Sequence, residues 1–240
     1  MTFLHRARPS QLGERLPRGQ HELSRDYVAD HQRARILEAT TFVVAEGGYE
    51  AMTVGAIVKY ARVSRRTFYE HFESREHCFL ATLGAGTQCM GDAVRSAYQG
   101  DGEWADRTAA ALVELMRLMV EYPATGITCF VAAASAGHDA ERQRAAAMSM
   151  CHDALGHVVV DAGSARPSFA ALELAVGGLS EVIRQRLLGD RRGQLMDELP
   201  AISTALLEPL TGAESARAVA ARAQARLPEQ AADRERAQQP

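Results

Sequence analysis

The 240-residue chain is poor in several residue types, and each shortage excludes a class of protein. Aromatic residues make up only 6%, yet a hydrophobic share of 47% suffices for a folded core, so disorder along the whole length is excluded. The four cysteines are widely separated and form no CxxC pair, which favours reduced core thiols over disulfides or a zinc site. The N-terminus lacks a secretory pattern and no run of about 20 apolar residues occurs, so we expect a cytosolic protein without a membrane partner.

Net positive charge is also missing, because 27 basic residues face 30 acidic ones and the net charge is -3. All basic residues but Lys59 are arginines. Residues 1–78 hold 12 basic and 10 acidic residues, whereas the rest of the chain holds 15 and 20. Binding to nucleic acid therefore has to depend on a local cluster of basic residues rather than on the total charge.

Apolar residues recur at helical spacing along almost the whole chain, and strand-like alternation is absent over any useful length. The pattern predicts an all-α protein of about nine helices. We expect an irregular extension at 1–29, a three-helix domain at 30–77, a helical domain at 78–211 and an Ala-, Arg- and Gln-rich tail at 212–240 that is a frayed helix or disordered. The longer helices are predicted at about 74–99, 103–122, 124–136, 139–163, 167–188 and 194–210.

Residues 53–72 have the layout of a helix-turn-helix. Two short helices, each preceded by a capping hydroxyl residue, are separated by a break at Arg62. On the second helix, Phe68 and Phe72 are spaced i and i+4 and should pack on the core, which leaves the other face to basic and polar side chains. Residues 59–66 contain four positive charges and no acid. In such a motif the second helix enters the major groove of DNA.

This segment and the helix before it resemble the tetracycline-repressor-like (TetR) family of bacterial transcription regulators. The matching positions are Ile36-Leu37-Glu38-Ala39, Ala45-Glu46-Gly47-Gly48-Tyr49-Glu50-Ala51-Met52-Thr53, Val63-Ser64, Thr67-Phe68-Tyr69, His71-Phe72 and Ser74-Arg75-Glu76. The resemblance implies an N-terminal helix-turn-helix domain and a C-terminal helical domain that binds a ligand and dimerises. It also implies that homodimers bind operator DNA.

The motif and the resemblance together predict ten DNA-contacting residues. They are Thr53, Lys59, Arg62, Ser64, Arg65, Arg66, Thr67, Tyr69, His71 and Arg75. By resemblance, Thr53, Tyr69 and Arg75 hold phosphates, and Arg65, Arg66 and Thr67 approach base edges or the backbone. Arg62 and Arg66 replace glycines that are usual in the family, and a left-handed Arg62 costs about 1 kcal/mol. Surface ion pairs of Arg66 with Glu70 and of Arg75 with Glu76, and a packing role for Tyr69, remain alternatives.

Two further sets of residues are predicted in the C-terminal part. A pocket for a small apolar or amphipathic effector is expected from Phe79, Leu83, Trp104, Leu112, Met116, Met119, Phe130, Met148 and His152, although a methionine stripe is more often core. A dimer seam is expected from Phe169, Leu172, Val176, Leu179, Ile183 and Leu187, unless this stripe packs only within its own subunit.

The function that these observations favour is a ligand-responsive homodimeric repressor that binds a palindromic operator through the major groove, without enzymatic activity or cofactor. Activation instead of repression stays open, since polarity depends on the operator's position. The rival classes are a non-enzymatic adaptor and a metal or redox sensor. For the sensor, His152 and His157 are five residues apart, which is off the spacing of helical metal pairs. The arginines of residues 1–29 are expected to add phosphate or minor-groove contacts.

Overall fold

The computed structural model describes residues 25–237, and it describes side chains within residues 26–227. These residues form helices and no strand, which confirms the all-α prediction. The α-helices are α1 (Arg25–Ala51), α2 (Val54–Ala61), α3 (Arg65–His71), α4 (Arg75–Tyr98), α5 (Trp104–Glu121), α6 (Pro123–Gly126), α7 (His138–Asp161), α8 (Phe169–Leu188), α9 (Gln194–Asp197), α10 (Leu199–Thr211) and α11 (Ala213–Ala237). The predicted contacts of the N-terminal arginines fall mostly on residues 1–24, outside the described part.

The chain divides into two compact units. The first contains Met1–Cys89 and Glu121–Arg144, and the second contains Met90–Val120 and Ala145–Pro240. The prediction of separate domains at 30–77 and 78–211 therefore differs from this division, because residues 121–144 group with the N-terminal helices. Sequence pattern missed this grouping, since contacts between segments far apart in the chain leave no local periodicity.

The first unit is built around α1, which contacts α2, α3 and the segment 123–135. The helix breaks at Gly48, where φ is 74°, a backbone conformation that glycine adopts readily. Fully buried apolar side chains of α1, α2, α3 and α4 fill the core of this unit, among them Ile36, Ile57, Phe68 and Phe79. This core gives α2 and α3 a fixed support.

The segment predicted as one helix at 124–136 changes geometry twice. After α6 it continues as a π-helical turn, Ile127–Val131, and then as a 3₁₀ turn, Ala132–Ser135. A π turn opens the backbone by one residue, and a 3₁₀ turn tightens it. The prediction of a single regular helix was thus wrong here, because intrinsic periodicity does not register such local changes of pitch.

The second unit contains the end of the chain. Helix α10 packs against α8 and α11. On α11, Ala216, Val219 and Ala223 are fully buried, and Arg222 pairs with Asp106 and Glu103 at 3.1 Å in each case. The prediction that residues from 212 onward form a frayed or disordered tail is therefore wrong for the described part of α11. The buried residues of α11 are small, so the sequence showed no strong apolar stripe there. Their small size nevertheless lets α11 lie close to α10.

A membrane span would require one of the described helices to be both long and apolar. None of them alone is both long and apolar enough to cross a bilayer, and one bent pair, Trp104–Glu121 with Pro123–Ser135, passes on length and composition only.

Candidate nucleic-acid interface

Capping hydrogen bonds at both ends fix where helix α2 begins and ends. The Thr53 hydroxyl oxygen accepts the backbone N–H of Ala56 at 3.1 Å, which satisfies one of the donors left unpaired at a helix start. At the other end Arg62 is left-handed, with φ 52° and ψ 41°, and its N–H and that of Val63 return to carbonyls of the last turn. The predicted cap and the predicted strain at Arg62 are both confirmed.

A capping hydrogen bond fixes the start of helix α3, and two buried aromatic rings fix its position on the core. The Ser64 hydroxyl oxygen accepts the backbone N–H of Thr67 at 2.9 Å. Phe68 and Phe72 are 0% and 1% exposed, and their ring centroids lie 5.7 Å apart. A helix of seven residues is too short to be stable alone, so the burial of these rings determines where α3 lies.

The rings leave the opposite face of α2 and α3 to solvent. Lys59, Arg62, Arg65, Arg66 and Tyr69 are all exposed there, as predicted. The guanidinium of Arg65 lies over α2, where an added Cβ on Gly55 would be 3.5 Å from Nη2. A methyl group at this position would be in ordinary van der Waals contact with Arg65, so the space beside Gly55 does not by itself require glycine.

The surface pair considered for Arg66 is present, since its Nε lies 3.0 Å from Oε1 of Glu70. The two side chains are 89% and 54% exposed, and an exposed i, i+4 pair contributes only about 0.3–0.5 kcal/mol. Such a pair is weak enough to be exchanged for another partner. The alternative is therefore present without excluding a DNA contact.

The side chain of Arg75 makes more contacts within the protein than the ion pair with Glu76 that the sequence indicated. Its Nη1 donates to the carbonyl of Met52 at 3.0 Å, its Nε donates to Glu76 at 2.8 Å, and its guanidinium lies 5.4 Å from the centre of the Tyr49 ring. Through Met52 it fixes the residue before the cap of α2. Any phosphate contact by Arg75 is thus combined with a structural role.

His71 is half-buried, unlike the arginines at positions 62, 65 and 66. Its Nε2 lies 3.5 Å from the side-chain oxygen of Gln32, and burial, followed by the nearby Arg33, lowers the pKa of its imidazole. A neutral imidazole adds no charge to the exposed face. Among the predicted DNA-contacting residues, His71 shares this half-buried state with Arg75 and with Thr67, whose hydroxyl lies 2.9 Å from that of Ser64.

A buried arginine that the sequence reasoning missed supports the same motif. Arg35 on α1 is 6% exposed, and its Nη2 donates to the carbonyl of Ala61, the last residue of α2, at 2.5 Å. A cation at a helix C-terminus is favourable, because unpaired carbonyls gather there. The available signal was a charged residue inside an apolar stripe, directly before Ile36.

Comparisons with known proteins agree with this geometry. Residues 36–82 match the family model described as bacterial regulatory proteins, tetR family. The helix-turn-helix segment of this chain therefore belongs to the tetR family. The repressor KstR of Mycolicibacterium smegmatis is 40% identical over 53 residues, which are 22% of this chain and 26% of KstR. The activator FasR of the same organism is 29% identical over 114 residues, 48% of this chain and 52% of FasR.

The matches to these curated relatives span about a quarter to a half of their length. Solved structures extend the likeness of fold. FadR from Bacillus subtilis, solved in complex with stearoyl-CoA, superposes with a TM-score of 0.61 at 16% identity and covers 74% of this chain and 97% of FadR. The likeness of fold to this solved structure thus extends beyond the helix-turn-helix.

The predicted pocket residues are distributed over both units. Phe79, Leu83 and Phe130 belong to the first unit, and the second contains Trp104, Leu112, Met116, Met119, Met148 and His152. Met116 and Met119 are fully buried, whereas Trp104, Met148 and His152 are half-buried. Burial alone does not separate core packing from a pocket lining, so these residues stay a prediction.

The predicted dimer seam requires a correction. Leu172, Val176, Ile183 and Leu187 are 1–7% exposed within the second unit, where α8 packs on α10. Side chains enclosed by their own chain are not available to a partner, so the prediction is wrong for these four. Leu179 is half-buried, and Phe169 is exposed. The stripe was the inner face of α8, because apolar periodicity marks burial without saying against what.

The sensor alternative requires several metal ligands close together or a reactive thiol. Among the described residues, no group of three or more His, Cys, Asp or Glu side chains is placed to hold a metal ion. His152 instead packs edge-to-face with Phe169, at a centroid distance of 5.3 Å. Burial raises the pKa of the Cys78 thiol to about 11 and that of Cys129 to about 12, so neither is a ready thiolate.

Proposed function

We propose that this tetR-family protein is a homodimeric, ligand-responsive transcription repressor that binds a palindromic operator through the major groove. The observation that carries the proposal is the exposed basic face of α2 and α3, held in place by Phe68 and Phe72 on its back. Helix-turn-helix dimers bind half-sites about one helical turn apart, so an operator with two such half-sites is expected.

The basic face suits both parts of DNA recognition. Lys59, Arg62, Arg65 and Arg66 supply positive charge toward phosphates, which contributes most of the sequence-independent affinity. Arg66 is exposed on α3, and we infer that it reads guanine. A bidentate arginine–guanine contact would contribute about 1–3 kcal/mol of discrimination.

Footprinting on the DNA that flanks the encoding gene tests this proposal. A protected site with two inverted half-sites is expected, and the double variant Arg65→Ala/Arg66→Ala should lose it. The matched control Arg142→Ala/Arg144→Ala removes two arginines of α7 that pair with Asp139 and Glu141, and it should protect the same site. An adaptor on the same scaffold would give no protected site.

For the dimer, the exposed face of α8 replaces the buried stripe. Leu174 is 78% exposed and Leu188 is 54% exposed, while Gly177 and Gly178 between them are open, with nothing within 4 Å of an added Cβ. Large exposed apolar side chains next to small residues suit close approach of a second helix. Two copies also double the DNA contacts of one reading head.

Sedimentation of the variant Leu174→Arg tests the dimer. A guanidinium in an apolar seam is costly to desolvate, so we expect a shift to monomer and weaker operator binding. The control Ser96→Arg places the same side chain at an exposed position of α4 and should leave the dimer intact. A dimer that survives Leu174→Arg at micromolar concentration would contradict this assignment.

The effector is expected to be a small apolar or amphipathic molecule. FadR, which shares this fold, was solved with stearoyl-CoA, and that compound is a suitable probe of the class. A ligand that binds one of two states more tightly lowers operator affinity by that difference. Titrating stearoyl-CoA against the protein–operator complex should release DNA, whereas an unchanged complex would exclude this ligand.

A further inference from the structure

A crevice of about 180 Å³ lies in the first unit, where the end of α1, the start of α4 and the start of α7 meet. Its lining combines apolar side chains with the carboxylates of Glu76 and Asp139, the imidazole of His138 and the phenol of Tyr49. None of these described lining residues is a lysine or an arginine. The crevice therefore places acidic groups next to an apolar surface.

The phenol of Tyr49 is a buried polar group in this crevice. Its side chain is 9% exposed, and its ring contacts the Phe79 ring at a centroid distance of 4.9 Å and the guanidinium of Arg75 at 5.4 Å. Within the part of the chain that the structure describes, no group forms a hydrogen bond with its hydroxyl. Burial, followed by the charge of Glu76, raises the pKa of the phenol, so the hydroxyl stays neutral. Since a buried hydroxyl is costly without a partner, this one is available to a ligand in the crevice.

Both carboxylates of the crevice can accept further hydrogen bonds. Glu76 accepts Nε of Arg75 at 2.8 Å, and Asp139 accepts Nη2 of Arg142 at 2.8 Å. The two acidic side chains are 54% and 63% exposed, so solvent screens both ion pairs. A carboxylate offers about four acceptor sites, of which such a pair uses only a part. The crevice thus suits a cation that carries several N–H donors.

We propose that the crevice binds a small aliphatic primary amine in its ammonium form. An ammonium group has three N–H donors, which match the two carboxylates and the phenol oxygen of Tyr49. Its alkyl stem packs against Phe79 and Leu80, as the stems of lysine side chains do on apolar surfaces. Such an amine is protonated at neutral pH, because its pKa is close to the value of about 10.4 for lysine. A small ligand is favoured because pockets for drug-sized molecules enclose about 300–1,000 Å³.

The helices that border the crevice are joined to each other beside it. Nε2 of Gln143 on α7 donates to the carbonyl of Leu80 on α4 at 3.2 Å, and Ala140 in the first turn of α7 is fully buried. The acidic groups are therefore carried by elements whose relative position is fixed.

The inference goes beyond the proposed function. None of the ten predicted DNA-contacting residues lines the crevice. The crevice shares Phe79 with the predicted effector pocket, but that pocket is expected to take an apolar or amphipathic molecule. A cation bound between carboxylates is a different class of ligand.

Backbone amide shifts of ¹⁵N-labelled protein measure the binding of n-butylamine at neutral pH and constant ionic strength. We expect concentration-dependent shifts at residues 76–80 and 136–139, with a dissociation constant in the millimolar range for a ligand of about five heavy atoms. Two matched ligands have a similar chain and another head group. Butyrate, whose charge is opposite, should cause no such shifts, and 1-butanol, which has no charge, should bind roughly 10-fold more weakly.

Two variants each remove one contact with little change of shape. Asp139→Asn should raise the dissociation constant of n-butylamine roughly 5–10-fold, and Tyr49→Phe should raise it roughly 2–5-fold. Tyr49→Phe keeps the ring contact with Phe79, so its urea midpoint should stay equal or rise. The control Glu141→Gln removes a carboxylate of α7 that pairs with Arg144 outside the crevice, and it should leave the affinity unchanged.

Several results would overturn the proposal. They are the absence of shifts with n-butylamine, shifts that lie outside the crevice, equal shifts with butyrate or 1-butanol, and an unchanged affinity in Asp139→Asn. These measurements contain no DNA, so they do not depend on operator binding. Wild-type protein that shows the expected shifts and protects no operator would overturn the proposed function alone.

Discussion

Replacing Phe68 by alanine should release α3 from its support. A phenylalanine side chain of about 150–250 Å² that is fully buried contributes roughly 4–6 kcal/mol at about 25 cal/mol per Å². Measured Phe→Ala changes in cores are about 3–5 kcal/mol, in the same range. Since domains are stable by only about 5–15 kcal/mol, this one ring contributes a large share of the stability.

Urea unfolding, amide hydrogen exchange along α3 and operator binding measure the effect together. We expect the unfolding free energy to fall by about 3–5 kcal/mol, with loss of exchange protection and of DNA binding. The control is Tyr69→Ala, because this neighbouring ring is 56% exposed and should cost less than about 1 kcal/mol. Near wild-type stability with protected α3 amides in Phe68→Ala would refute the role of the ring.

Other predictions concern the cap, the two arginines and the thiols. Ser64→Ala should lower the unfolding free energy by about 1 kcal/mol in urea titrations. Arg75→Ala should lower the unfolding free energy and weaken binding to all DNA sequences alike. Arg66→Ala should leave the unfolding free energy unchanged and relax base preference on a panel of operator variants. Identical behaviour of the two variants would contradict this assignment. Burial raises the pKa of the Cys78 thiol to about 11 and that of Cys129 to about 12, above the ordinary value of 9.0. Above pH 9 the folded chain therefore keeps thiol protons that the unfolded chain releases. The unfolding free energy should fall as the pH rises through this range.

The helix-turn-helix was predictable because its determinants are local. The hydroxyl of Thr53 and that of Ser64 each act within three residues, and Phe68 and Phe72 share a face by helical spacing alone. Such signals need no knowledge of the rest of the fold. The strain at Arg62 was predictable for the same reason, since a turn between two close helices restricts the conformation of one residue.

The remainder depends on contacts that are distant in sequence. The bond from Arg35 to the Ala61 carbonyl joins residues 26 positions apart, and Gln143 donates to the carbonyl of Leu80 across 63 positions. The stripe on α8 was recognised correctly as apolar, yet its periodicity could not tell a neighbour in the same chain from one in a second copy. The positions of these residues are therefore determined by tertiary contacts and not by local helix propensity.

Arg66 illustrates how magnitudes decide between two partners for one side chain. In the free protein its guanidinium pairs with Glu70, and at 89% and 54% exposure this pair contributes about 0.3–0.5 kcal/mol. A bidentate contact to guanine contributes about 1–3 kcal/mol, so the guanine contact is the stronger of the two. In the proposed complex, exchange of Glu70 for guanine would therefore subtract only a small part of the discrimination that the base contact supplies.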